Sequence, residues 1–211
     1  MTDGVGAREP ERFDAVTILV HWLTLAMVIA QFATAWLHGQ ASGGGQAAQV
    51  LLIHRSDGVL LWVLTLARLA WRATHGRKVP LPRATPRIQR LMARANEYAL
   101  YGLLVVQPLT GLAQSVLRGK AFPLLFGDVP ALTARHRELV RLVEAIHEKG
   151  AVLLLALIAL HAGAALIHHF ILRDGVLRAM LPKFSGAAGN KSGPPPVLSL
   201  ESRQNGSHDD D

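Results

Sequence analysis

The sequence predicts an all-α protein, a membrane-spanning four-helix bundle with up-down topology. Half of its 211 residues are hydrophobic and its mean hydropathy is positive. Short to moderate loops join the apolar segments, as in up-down bundles. Each segment reaches about the 20 residues that a helix needs to cross a bilayer. These segments are 15–37, 50–71, 97–117 and 147–172.

The composition excludes several kinds of cofactor site. The chain has no cysteine, which excludes disulfides, thiolate-bound iron–sulfur or zinc sites and covalent haem attachment. Any metal or cofactor must therefore be held by histidine or carboxylate. The net charge is +7, but the positive residues lie in loops between apolar segments. That pattern indicates membrane topology and not nucleic-acid binding. No internal repeat is evident.

The first apolar segment, 15–37, is longer than the apolar core of a signal peptide, which is about 7–15 residues. We therefore expect an uncleaved transmembrane helix, with Asp14 or Thr17 as its cap. His21 lies inside this helix near its start. The polar residues 1–14 before it are interpreted as a cytoplasmic tail.

Loop charges predict the orientation of a single membrane domain, residues 15–183. The stretch from Arg68 to Arg94 carries eight basic residues and no acid, whereas the Gly-rich loop 38–49 carries no Lys or Arg. The positive-inside rule therefore places the second loop and both termini in the cytoplasm. Residues 184–211 are rich in Gly, Pro and Ser and acidic at their end, which predicts a disordered cytoplasmic tail.

The second and third apolar segments differ in their histidine content. His54 lies near the start of the second, and Gly58 follows one turn later on the same face. A glycine there would let a flat ligand approach the helix. The third segment contains no histidine, and its QPLTG sequence around Pro108 predicts a kink or close packing.

The fourth segment contains four histidines, at positions 147, 161, 168 and 169. A histidine in hydrocarbon is energetically costly and is by default a functional candidate. His147 and His161 are separated by about four helical turns, or about 21 Å of rise. Both therefore face the same side of the helix, at opposite depths of the membrane.

Depth pairs these histidines with those of the other helices. His21 matches His161 near the cytoplasmic side, and His54 matches His147 near the outer side. Two imidazoles facing each other across a flat ring are the axial ligands of a low-spin b-type haem. An apolar slot between helices suits this cofactor. The sequence thus predicts two non-covalent haem b groups and an electron path across the membrane.

Some assignments stay open on these grounds. His168 lies seven residues after His161 on nearly the same face and can replace it as the inner ligand, although its depth near the helix end argues against this. His168 and His169 are better placed at headgroup level, near the inner haem propionates. A lone histidine can also simply hydrogen-bond a neighbouring helix.

Basic residues near the helix ends are candidate partners of the haem propionates. Those on the outer side can instead attract an anionic electron donor. The inner candidates are Arg68, Arg72 and Arg173, and the outer ones are Arg135, Arg137 and Lys149.

Three segments resemble the bacterial cytochrome b561 family of small dihaem membrane cytochromes, related to the cytochrome b subunits of membrane hydrogenases. They are RFDAVTILVHW around His21, IHRSDG around His54 and the stretch from Ile146 to Pro182. The resemblance implies one haem ligand in the first helix, one in the second and two in the fourth. These positions fall on His21, His54, His147 and His161.

The resemblance also implies a bacterial inner-membrane protein that exchanges electrons with quinone, and in one branch superoxide oxidation at the outer face with ubiquinone reduction. The chain departs from many members by carrying Asn96 and Glu97 where they have a histidine. One alternative is a membrane-anchor subunit of a larger dehydrogenase or hydrogenase, with a partner oxidoreductase subunit. Another is a haem-free, histidine-based transporter, which the lack of mid-depth carboxylates disfavours.

Overall fold

The computed structural model describes residues 12–75 and 85–182. Four long helices make up most of it, each long and apolar enough to cross a membrane. The predicted all-α four-helix bundle is thereby confirmed. The helices are α1 (Ala15–Gln40), α2 (Gly44–Thr74), α3 (Arg87–Leu117) and α4 (Arg137–Phe170). The remaining elements are two short strands, β1 (Phe122–Leu124) and β2 (Gly127–Val129), and a 3-10 turn, Arg178–Met180.

The helices pack mainly as two hairpins, α1 with α2 and α3 with α4, and α2 packs along α3. A small buried core takes one apolar residue from each helix. Most other apolar side chains on the helices are exposed; Val152 of α4, for example, is 71% exposed. Such an outward apolar surface is expected where lipid surrounds the bundle. The four core residues are Val28, Leu61, Leu104 and Leu154.

Asp14 caps α1 and also ties it to the end of α2. Its carboxylate accepts hydrogen bonds from the Thr17 backbone N–H at 2.9 Å and the Thr17 hydroxyl at 2.6 Å. The Trp71 indole donates a third, at 3.1 Å. Burial raises the pKa of Asp14, but these hydrogen bonds outweigh it and lower the pKa to about 2.

The loop between α3 and α4 forms an antiparallel hairpin in which Phe122 pairs with Val129. This hairpin lies against α2. The backbone N–H of Leu125 donates to the Ser56 hydroxyl at 2.8 Å, and the Arg55 guanidinium lies 5.2 Å from the centre of the Phe122 ring. α4 then begins at Arg137 and continues unbroken to Phe170.

The segment after α4 returns to the start of α1. The Trp22 indole donates to the Met180 carbonyl at 2.8 Å, and the Phe13 N–H donates to the Ala179 carbonyl at 3.3 Å. Arg173 lets the chain leave the helix by adopting a left-handed conformation, with φ 51°. The ends of the described chain therefore meet on one side of the bundle. The predicted tails, apart from residues 12–14, and the Pro-rich part of the second loop lie outside the described residues.

Candidate haem sites

The structure brings the four candidate histidines together as two pairs. His21 of α1 faces His161 of α4, with ring centres 6.3 Å apart. His54 of α2 faces His147 of α4, with ring centres 6.4 Å apart. These are the pairs that depth alone predicts, and we call them the inner pair and the outer pair.

The spacing within each pair fits a metal ion held between two imidazoles. A metal lies about 2 Å from each ligating nitrogen, and each ring centre lies about 1 Å beyond its nitrogen, so the centres should be about 6 to 6.5 Å apart. Both pairs have this separation. The residues present therefore suit axial ligation of a haem iron, which needs one nitrogen from each side.

The outer pair is held by matching contacts from the neighbouring helices. On α1, the Thr34 hydroxyl lies 3.0 Å from His54 Nδ1, and the Gln31 amide donates to the His54 carbonyl at 2.8 Å. On α3, Thr110 lies 2.9 Å from His147 Nδ1, and Gln107 donates to the His147 carbonyl at 2.9 Å. Metal-binding histidines commonly have the second ring nitrogen fixed in this way.

The same four-residue pattern thus serves both outer histidines: QFAT from Gln31 to Thr34, and QPLT from Gln107 to Thr110. QPLTG was predicted only as a site of a kink or close packing, and the contacts of Gln107 and Thr110 with a histidine, the matching residues Gln31 and Thr34, and the local repeat were not predicted. The signal was present, since each pattern lies on the helix before an Ile-His pair. It is only four residues long, however, and the helix rotation that aims it at the histidine is not visible in a sequence.

Two glycines contact this arrangement. A Cβ on Gly111 would lie 3.2 Å from Cε1 of His147, so the glycine gives that ring its space. Gly58 lies instead against the Gln31 amide, 3.5 Å from where its Cβ would be. The expectation that a flat ligand approaches α2 at Gly58 is therefore replaced by close packing of α1. The close packing predicted around QPLTG is observed at Gly111.

The inner pair has a different neighbour. The Arg68 guanidinium lies 3.1 Å from His21 Nδ1 and 5.3 Å from the centre of the Tyr101 ring. Arg68 Nε is buried and has no partner among the residues that the structure describes. Arg68 is thus the basic residue placed at the inner pair. Arg72, another candidate for the inner propionates, is already paired with Glu97.

The structure places Asn96 and Glu97, the two residues at the departure from the family pattern, near the start of the membrane part of α3. Glu97 forms the ion pair with Arg72, and Asn96 is buried, 8% exposed. The departure from the family pattern therefore leaves the inner histidine pair intact.

His168 is engaged away from the inner pair. Its Nδ1 lies 2.5 Å from a carboxylate oxygen of Asp174, and both side chains are mostly buried. His161 is the histidine of α4 that faces His21. His169 packs edge-on against Phe170, with ring centres 4.8 Å apart. This geometry favours His161 over His168 as the partner of His21.

Basic residues also surround a cleft of about 560 Å³ between the end of α3 and the start of α4. Arg118 is partly neutralised by Glu144, at 3.2 Å. Arg135 and Arg137, two of the outer candidates, line the cleft, whereas Lys149 is not part of its wall. Arg141 is likewise paired with Glu138, and the positive charge that remains in the lining makes this cleft attractive to anions. The basic lining residues are Arg118, Lys120, Arg135, Arg137 and Arg141.

A bundle of four membrane helices, with histidines on different helices that face each other in two pairs, defines a multi-pass membrane cytochrome b. The chain belongs to the prokaryotic cytochrome b561 family, whose sequence model matches residues 12–183. It is therefore a bacterial membrane cytochrome that binds haem b and takes part in electron transfer.

Curated relatives cover most of the chain. Cytochrome b561 homolog 1 of Escherichia coli is 32% identical, over 82% of this chain and 98% of the relative. Cytochrome b561 homolog 2 of the same organism is 34% identical, over 85% and 96%. A probable superoxide oxidase of Yersinia pestis is 30% identical, over 83% and 99%.

Proposed function

We propose that this cytochrome holds two haem b groups, with His21 and His161 as the axial ligands of one and His54 and His147 as those of the other. The observation that carries this proposal is the equal spacing of the two pairs, 6.3 and 6.4 Å between ring centres. When bound, haem supplies one-electron redox chemistry. Histidine on both faces leaves the iron no open position, which suits electron transfer and not oxygen binding.

The two pairs lie at different depths, and the charge of the loops supports an orientation. The basic second loop supports a cytoplasmic position for the α2–α3 connection and for both termini. The inner pair is then near the cytoplasmic face, and the outer pair is near the outer face. His147 and His161 are separated by about 21 Å along α4. Electrons can therefore pass through the bundle from one face to the other in two steps.

We place the electron donor at the outer face and quinone as the acceptor. The basic cleft lies near the start of α4, and Arg137 precedes His147 by about 15 Å of helix. Its excess positive charge favours a small anionic donor, and superoxide has that charge. The similarity to a probable superoxide oxidase supports the same choice.

The proposed reaction is balanced as two one-electron steps. Each superoxide loses one electron and leaves as dioxygen, without forming a bond to the protein. Two such electrons, together with two protons from water, reduce one ubiquinone to ubiquinol. The chain's own residues attract the anion, hold the haem groups and keep the path inside an apolar bundle. The lipid-facing apolar helices allow a quinone to approach from the bilayer.

The test is haem per polypeptide on the detergent-purified protein, followed by quinone reduction in proteoliposomes supplied with superoxide. We expect two b-type haems per chain and ubiquinol formation that depends on superoxide. One haem per chain would contradict the dihaem proposal, and a colourless protein would favour the transporter. Two haems without superoxide-dependent ubiquinol, together with a co-purifying oxidoreductase, would favour the membrane-anchor subunit.

A further inference from the structure

The hydrogen bonds around the outer pair determine which ring nitrogen carries the proton. The Thr34 hydroxyl has one hydrogen, and it lies 2.7 Å from the carbonyl of Ala30 in its own helix. Because that hydrogen is used, Thr34 can only accept from His54 Nδ1, which lies 3.0 Å away. His54 Nδ1 therefore carries the hydrogen, and Nε2 keeps its lone pair for a metal.

His147 is held in the same state by two acceptors. The Thr110 hydroxyl donates to the carbonyl of Gln107 at 2.8 Å, so it can only accept from His147 Nδ1 at 2.9 Å. The Gln107 carbonyl itself lies 3.1 Å from that same nitrogen, and a carbonyl is never a donor. Both outer histidines thus present a bare Nε2.

The inner pair has the opposite arrangement at His21. A guanidinium has donors only, so Arg68 at 3.1 Å requires an unprotonated Nδ1 on His21. The proton is then on Nε2, the nitrogen that an iron ligand needs free. When His21 binds iron, Nδ1 must carry the proton, and the guanidinium must turn away from it. The guanidinium also lies 5.3 Å from the centre of the Tyr101 ring, and this second contact can hold its positive charge near the inner pair.

We propose that Thr34 and Thr110 are positioning residues that make the outer haem the lower-potential member of the two. An acceptor on Nδ1–H makes an imidazole a stronger electron donor, which favours the oxidised iron. A nearby cation such as Arg68 instead favours the reduced, less positive iron at the inner pair. Electrons then run downhill from the outer face to the inner face. This inference rests on the proposed dihaem function.

The test is a spectroelectrochemical titration of the full-length, haem-loaded protein with Thr34→Val, Thr110→Val and both together. Valine keeps the shape and removes the acceptor. Thr24→Val and Thr65→Val are matched controls, because within the described part of the chain these buried threonines bond only to carbonyls of their own helices, at 2.7 and 2.8 Å. The titration should show one redox wave for each haem. The His54→Ala protein, which should retain only the inner haem, identifies which wave belongs to which histidine pair.

We expect each Thr34 and Thr110 variant to shift the lower-potential wave upward, with the largest shift in the double variant and no shift in the controls. The electron paramagnetic resonance signal of the outer low-spin haem should change as its rings lose their hydrogen bonds. Serine at both positions keeps the acceptor and should restore the wild-type wave. An unshifted lower wave, or an equal shift in the controls, would overturn the inference. A protein without two haem waves would refute the dihaem function before this comparison is reached.

Discussion

Gly111 of α3 lies against the ring of His147, so that a Cβ on the glycine would be 3.2 Å from His147 Cε1. That distance is shorter than an ordinary van der Waals contact, and the ring would have to move by a few tenths of an ångström. The position of an intramembrane histidine on one helix therefore depends on the absence of a side chain on the next.

Gly111→Ala should selectively disturb the outer haem. Overpacking of this kind typically costs about 1–3 kcal/mol, which should lower the occupancy of the outer haem or alter its resonance signal. Gly58→Ala is the control, since its new Cβ would make an ordinary 3.5 Å contact with the Gln31 amide. Haem content and low-temperature spectra of the two purified variants make the comparison. An equal effect of the two substitutions would contradict this account of the His147 ring.

Removal of one histidine from each pair should separate the two haems. His54→Ala should remove about half of the bound haem and leave the inner group, and His161→Ala should leave the outer group, because each iron loses an axial ligand. Haem per polypeptide and redox titration measure both outcomes. His168→Ala is the control, because His168 is bound to Asp174, and it should keep both haems. Full haem occupancy in His54→Ala would show that the pairing is wrong.

Charge removal in the basic cleft should slow reduction by an anionic donor. Arg135→Gln and Arg137→Gln together should lower the rate of haem reduction by superoxide severalfold at low ionic strength, since such attraction raises association rates by about 10 to 1,000-fold. The difference should shrink at about 0.15 M salt, where charges are screened beyond about 8 Å. Rapid-mixing absorbance measures the rate.

The matched control for the cleft combines Arg87→Gln with Arg94→Gln, which removes two cations of α3 that do not line the cleft. Its rate should equal that of the unchanged protein at every salt concentration. If this control slows the reaction as much as the cleft variant does, the effect comes from total charge and not from the cleft.

Asp14→Asn should destabilise the protein in a pH-dependent way. The folded-state pKa of Asp14, about 2, is below its ordinary value of 3.8. Its stabilising effect is therefore present above about pH 4 and lost as the pH falls toward 2. Thermal unfolding in detergent should show a lower midpoint for Asp14→Asn than for the unchanged protein at pH 7. The difference between the two midpoints should shrink as the pH falls from about 4 to 2. Asparagine is itself a good helix cap and keeps one acceptor oxygen, so the difference measures the charge of Asp14 and not loss of the cap.

Thr17→Val is a second variant for the same contact. It removes the side-chain donor to Asp14 at 2.6 Å but keeps the backbone donor at 2.9 Å. Its thermal unfolding midpoint at pH 7 should therefore lie between those of the unchanged protein and Asp14→Asn. A gap that stays constant down to pH 2 would mean that the Asp14 charge does not stabilise the fold.

The fold and the histidine pairs could be predicted because both depend on quantities that a sequence displays. Helix number follows from the length of the apolar segments, and the depth of a histidine follows from the rise per residue. That reasoning paired His21 with His161 and His54 with His147, and the structure brings the same residues face to face.

The contacts around those histidines could not be predicted because they depend on how each helix is rotated about its own axis. By sequence position, Arg68 and Arg72 were equally good candidates for the inner haem propionates. In the structure Arg72 pairs with Glu97, whereas Arg68 contacts His21. The hairpin on α2 is similarly invisible in the sequence, since its position depends on long-range contacts such as the hydrogen bond from Leu125 to Ser56 and the packing of Arg55 on the Phe122 ring.

The packing of the helices as two hairpins has a consequence for how the protein is made. α1 packs mainly with α2, and α3 with α4, so each hairpin can enter the bilayer as a unit during synthesis. Each histidine pair takes one member from the first hairpin and one from the second. The iron of either haem would therefore link the α1–α2 hairpin to the α3–α4 hairpin, in addition to the packing of α2 against α3. On the proposed ligand assignment, the yield of assembled protein should therefore rise with the cellular supply of haem.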